Sequence, residues 1–225
     1  MDYPKTVYMS PRNAVDWFNA LIKKCGPEYV EHPSHFEVEK ELLNVAKFYL
    51  GLFLHTGYDY YLRPWEDVAT DVDVRAINWG EANNPTFQTD DIQVTEYEGH
   101  NDKIPDVIAN KIKHQGPHGK ENRHLLVVIR EHSGEKIYHA KIANAVQAMS
   151  PSFQSIWLLM QSFEDSVVYR IIRISPLPQI VDIKFNITDM AKRQTPPDFI
   201  NLKRGANNNF LSEMYDYDLP LPECK

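Results

Sequence analysis

The chain has 225 residues, 43% of them hydrophobic and 12% aromatic, enough apolar matter for one large core and too much for a disordered polypeptide. Its formal net charge of −7 is a poor footprint for a protein held on nucleic-acid phosphates by overall charge. No run of about 18 apolar residues occurs, so no membrane span is expected, and the N-terminal "MDYPKTVYMSPRNAVDWF" lacks the pattern of a secretory signal.

In chain order, residues 1–33 read as a helical segment. Ser10 caps its helix, Pro11 suits the first position, and Gly26 closes it after Lys23 and Lys24. Val15, Phe18, Leu21 and Ile22 form the apolar stripe. A second helix opens on a capping box, Ser34 with Glu37, and runs to Gly57. Phe36, Leu43, Ala46, Leu50 and Phe53 make its seam, and Glu39 falls on that seam. A carboxylate there is costly unless it is paired, bound to a metal, or close enough to the helix start to reach water.

"YDYYLRP" and "DVDVRAINW" read as strands, "GEANNP" as a turn, and "TFQTDDIQVTEY" as the returning strand of a hairpin. On that strand Asp91, Gln93 and Thr95 share one face, while Asp90, Ile92, Val94 and Glu96 share the other. "KIPDVIANKIKHQG" is a helix with Ile104, Ile108 and Ile112 on one side. "HLLVVIRE" is an unbroken apolar run, the mark of a strand covered on both faces. A helix over "EKIYHAKIANAVQAMS", a buried strand "SIWLLMQ" and a final strand "SVVYRIIRI" follow, so parallel pairing through helical crossovers is expected. Residues 34–175 thus form a core of mixed central β-sheet flanked by helices, an α/β fold. Residues 176–225, rich in Pro and Asn, read as an irregular, extended C-terminal arm suited to a protein partner or a homo-oligomer contact. Cys25 and Cys224 have no CxxC or metal spacing and read as free thiols in a reducing, cytoplasmic setting.

A helix bearing an inward acid, a strand bearing Asp73, a strand bearing acids and an amide, a helix bearing lysines, and then a buried strand come in that order. In this the chain resembles the PD-(D/E)xK superfamily, the restriction-endonuclease-like nucleases, over roughly residues 34–175. The resemblance implies Glu39 as the helix acid and Asp73 as the first strand acid, with Asp71 as its rival. It puts Gln93 in the place of the second carboxylate. Thr95 stands where the family has lysine, which leaves three outcomes. Asp91 and Glu96 rebuild the site, Lys111 or Lys113 supplies the cation from the next helix, or the site is dead. The resemblance further implies Mg²⁺ or Mn²⁺ held by Asp73, Asp91 and Gln93, hydrolysing phosphodiester bonds of DNA. The alternative is a non-catalytic protein-binding or oligomeric module on the same fold.

The remaining motifs are plain. His114, His118 and His124 cluster in sequence, but Gly116 and Pro117 break the helix between them, so loop histidines are expected, with a single general base from the group, for instance His114, as the functional alternative. His100, His132 and His139 stand elsewhere. "GPHGKENR" is not a phosphate loop, since it lacks the P-loop pattern and precedes a strand. "NLKRGANNNF" reads as a solvated basic loop with nucleic-acid backbone contact as its functional alternative, Ser-His-Asp catalysis has no GxSxG elbow to anchor it, and Trp157 reads as core.

Overall fold

The computed structural model describes residues 6–32, 34–67, 72–78, 89–99, 103–114, 122–131, 137–194, 198–204, 210–214 and 219–224. Asp71, the turn at 80–85, His100, His118, His132 and segments 115–121 and 205–209 lie outside the described residues.

Among the described residues ten strands form one open mixed sheet. They are β1 (Val7–Met9), β2 (Tyr60–Asp67), β3 (Val72–Asn78), β4 (Thr89–Glu98), β5 (Arg123–Glu131), β6 (Ser155–Gln161), β7 (Val168–Ser175), β8 (Val181–Asn186), β9 (Phe199–Arg204) and β10 (Phe210–Met214), in the spatial order β10-β9-β1-β2-β3-β4-β5-β6-β7-β8. The central pairs β4–β5 and β5–β6 are parallel, and every other neighbouring pair is antiparallel. Helices α1 (Pro11–Cys25), α3 (Glu37–Thr56) and α6 (Ile187–Arg193) contribute to the core on one face, while α4 (Ile104–His114) and α5 (His139–Ala148) contribute to the core on the other. The short α2 (Pro27–Glu31) follows α1.

The two periodicities explain this layering. Along β5, Leu126 and Val128 enter the α3-side core, and Leu125, Val127 and Ile129 enter the α4/α5-side core. A strand buried on both faces needs apolar residues at consecutive positions, which is what "HLLVVI" supplies. Trp157 is 6% exposed and meets Phe48 of α3 edge-on, with ring centroids 5.1 Å apart, so it is core as expected.

Helix α1 starts where the sequence places it: Ser10 Oγ accepts the Asn13 N–H at 3.1 Å and Gly26 ends the helix. The capping box of α3 does not form. Phe36, in a left-handed conformation, takes the N-cap position without a side-chain bond, and Ser34 Oγ instead meets His32 Nδ1 at 2.9 Å. Gly51 in the middle of α3 is a contact requirement. A Cβ there would lie 2.4 Å from the Phe185 ring of β8. Gly51→Ala is expected to cost about 1–3 kcal/mol by overpacking, read as a lower urea midpoint at unchanged m-value, with part recovered when Phe185→Leu is added.

Two expectations about the termini are corrected. The segment after Ile174 is not an irregular arm: it continues as β8, α6, β9 and β10 and completes the sheet. The alternation Val181, Ile183, Phe185 was a period-2 signal, with Phe185 in the core and Asp182 paired to Arg170 across the strands. Nor are the cysteines free. Cys25, at the end of α1, and Cys224 form a disulfide with Cα atoms 5.6 Å apart. Next to it, Trp17 Nε1 donates to the Leu219 carbonyl at 3.1 Å and Lys24 Nζ to the Pro222 carbonyl at 3.0 Å. The bond also removes the ground on which a reducing compartment was expected. No described helix is long and apolar enough to cross a membrane.

Candidate active site

The site lies where two strands part. β3 and β4 pair from Ile77 with Thr89 to Val74 with Ile92, while β4 stays paired with β5 as far as Glu98. Past Ile92 the β3 side of β4 therefore needs another partner for its backbone. Asp73 meets that need, its Oδ2 accepting the Val94 N–H at 2.6 Å. That bond fixes the carboxylate in the fork between the strands.

Two further charges act in this fork. Glu41 of α3 lies one turn before Val45 and two before Phe48, on the stripe of α3 that packs on the sheet. Its carboxyl group is pushed up to about 8, by burial first and then by the negative charges of Asp73, Glu37 and Glu96. Lys111 of α4, from the opposite face of the sheet, acts on it in the other sense and favours the carboxylate. An acid from a helix, an acid from a strand and an ammonium from the following helix thus come within electrostatic reach of one another.

The other expected site residues distribute as follows. Asp91 shares the face of Asp73, directly across from Arg75, whose Nε and Nη2 donate to its two oxygens at 2.6 and 3.0 Å. This bidentate pair occupies both carboxylate oxygens. Gln93 is 1% exposed and lies on the Asp91 face by strand alternation, and Thr95 follows on the same face, partly buried. Glu39 is also buried, at 8% exposure, but the leading charges on Glu41 come from elsewhere. Lys113 and His114 are exposed at the end of α4, whereas Lys111 is partly buried. Glu96 faces α3, where it accepts from Asn44 Nδ2 at 3.1 Å and pairs with Arg130.

Glu41 and Arg75 are the residues that sequence reasoning missed. Glu41 had a signal, its spacing of four and seven residues from Val45 and Phe48, hidden by setting the helix seam two positions away. Arg75 had one too, since hairpin pairing sets it across from Asp91.

A second constellation has the composition of a catalytic triad. His124 Nδ1 lies 2.6 Å from Ser155 Oγ, and its Nε2 lies 3.5 Å from Asp90, which also accepts the Tyr49 hydroxyl at 3.1 Å. Ser155 is 6% exposed and its Oγ already accepts the Trp157 indole N–H at 2.6 Å. A hydroxyl with no room for an acyl substrate and a second bond to hold is a structural tie between β4, β5, β6 and α3. The burial of Tyr49, and then Asp90, holds its phenol well above the usual value, so it stays a donor.

Comparison with known protein families and with curated proteins finds no match to this chain. Among the described residues no three His, Cys, Asp or Glu side chains form a group able to hold a metal ion by themselves.

Proposed function

We propose that the protein is a divalent-cation-dependent phosphodiesterase acting on DNA, with Glu41 and Asp73 as its acidic pair and Lys111 as its cation. The observation that carries this reading is that Asp73, held by the Val94 N–H where β3 and β4 part, and Lys111 both act on the buried carboxyl group of Glu41. The element order α3-β2-β3-β4-α4-β5, three antiparallel strands and then a parallel one reached through a helix, supports the nuclease-like resemblance. Thr95 leaves the strand without the family's lysine, and Lys111 supplies that charge from the next helix.

The donor set fits Mg²⁺ or Mn²⁺. Both acids offer hard oxygen, and Mg²⁺ is commonly held by one or two carboxylates, keeping several waters, rather than by a full protein cage. Asp73 raises the pKa of Glu41, and a cation between the two would relieve that repulsion. The Gln93 amide oxygen, on the Asp91 face, is the third protein donor in this reading, in place of Asp91. The bound ion would neutralise phosphoryl charge and lower the pKa of an attacking water. Asp73 arrives pre-oriented by the Val94 N–H, which limits the reorganisation needed on binding. Lys111 stabilises charge that develops on the phosphate oxygens. Arg75 holds Asp91 out of the ligand set and keeps the strand pair in register.

Cleavage of single- and double-stranded DNA in Mg²⁺ or Mn²⁺ tests the proposal. Wild type is expected to cut, Asp73→Asn and Lys111→Met to lose about a hundredfold or more, and Lys141→Met, on α5, to match wild type. No cleavage by wild type, or equal rates in all four, contradicts it.

The non-catalytic reading is favoured by one observation, the Arg75 clamp on Asp91. Its contact arm, however, is largely spent inside the fold: truncation after residue 176 would remove β8 to β10 from the sheet. An intact, oligomerisation-deficient truncation product would restore the arm reading.

A further inference from the structure

A cleft of about 810 Å³ opens between α1, α3 and α6, over the carboxyl ends of β4, β5 and β6. That size suits a small molecule rather than a polymer. Its apolar walls include Phe18, Val128, Leu159 and Tyr169. Three cations line it, Lys40, Lys47 and Arg130, together with Glu96.

Arg130 is paired with Glu96, both side chains 31% exposed. Lys40 is 8% exposed and spends one donor on the His32 carbonyl at 2.5 Å, leaving two. Lys47 is partly buried, its ammonium 4.8 Å from the centroid of the Tyr169 ring, and among the described residues it donates no hydrogen bond. Asp16 and Glu31 also border the cleft, but both are exposed, where solvent screens them. Two lysines therefore line the inner cleft beside an apolar wall without a direct ion pair among the described residues, Glu96 acting on both from its pair with Arg130.

We propose that this cleft binds a phosphate monoester carrying an apolar group, with Lys47 and Lys40 taking the phosphate and the walls formed by Phe18 and Leu159 taking the apolar group. A phosphate monoester carries close to two negative charges near neutral pH and three acceptor oxygens, which matches two ammonium groups with open donors. The cost of leaving Lys47 desolvated without an acceptor supports the same conclusion. Burial pulls its amine down to about 8, with Glu96 acting against that shift and Arg130 adding to it. An oxyanion seated between the lysines would return hydrogen bonds to that ammonium. The cleft is distinct from the fork of Glu41 and Asp73, although Glu96 borders both.

Calorimetric titration of the full chain with phenyl phosphate, and separately with inorganic phosphate, tests the assignment. EDTA is present throughout, so that the result stands apart from divalent-cation binding in the fork. One phenyl phosphate per chain is expected, bound more tightly than inorganic phosphate. Lys47→Met, which keeps an apolar stem against Tyr169, is expected to weaken it about tenfold or more, the effect of losing a charge-assisted hydrogen bond. Lys40→Met is expected to do the same, and Lys141→Met to have no effect, with melting curves confirming that each variant is folded. Absence of saturable binding overturns the proposal. So does equal affinity of wild type and Lys47→Met, or inorganic phosphate binding as tightly as phenyl phosphate.

Discussion

Glu41→Gln is expected to make the protein more stable in alkaline solution while removing the divalent-cation seat proposed for Glu41 and Asp73. Burial and the neighbouring Asp73 lift the Glu41 carboxyl group from 4.5 to about 8. The folded chain therefore holds a proton that the unfolded chain releases near pH 4.5. Stability contributed by this group is full below that value, declines as pH rises through the window up to about 8, and is level above it. Allowing for solvent around a partly exposed side chain, the decline amounts to about 2–3 kcal/mol. The glutamine variant keeps the shape and cannot ionise, so its urea-unfolding free energy should lack this decline and exceed that of wild type at pH 9 by a similar amount. Mg²⁺ should recover part of the deficit in wild type at pH 9 and none in the variant. Matching pH profiles for the two proteins would show that Glu41 carries no such strain.

Breaking the disulfide is expected to have the largest effect on stability away from the site. It joins residues 199 apart, so its loss frees nearly the whole unfolded chain. Cys224→Ser and Cys25→Ser should each cost about 2–4 kcal/mol, and the double variant no more than either alone. Wild type treated with dithiothreitol should fall to the same urea midpoint. The damage should centre on the packing of α1 against the C-terminal segment, where Trp17 meets Leu219. A midpoint indifferent to reductant would place the stability of that corner in packing alone.

The strands and helices of the middle of the chain were legible because their apolar residues obey one period at a time. "HLLVVIRE" could only be covered on both sides, and Ile104 and Ile108 recur every four residues and are fully buried. The C-terminal strands were hidden by prolines and amides around a short alternation, Val181, Ile183 and Phe185, that a longer β-strand would have made plain. The disulfide was invisible because its partners lie at opposite ends of the chain, and no spacing rule connects them. At the proposed site, the resemblance implied Asp73 and a lysine on the next helix. What it could not resolve was which acid on α3 faces the sheet, a matter of two positions of helical phase, and that Asp91 is answered by Arg75 across the hairpin. Both depend on register, which the sequence expresses only through neighbouring elements.

Central to the proposed function is a seat for one divalent ion formed by Glu41 and Asp73. Titration of Mn²⁺ into the full chain, followed by electron paramagnetic resonance of the free ion, measures that directly. One site per chain is expected in wild type, lost in both Glu41→Gln and Asp73→Asn and kept in Glu39→Gln. Binding that survives both substitutions, or that disappears only with Glu39→Gln, would contradict it.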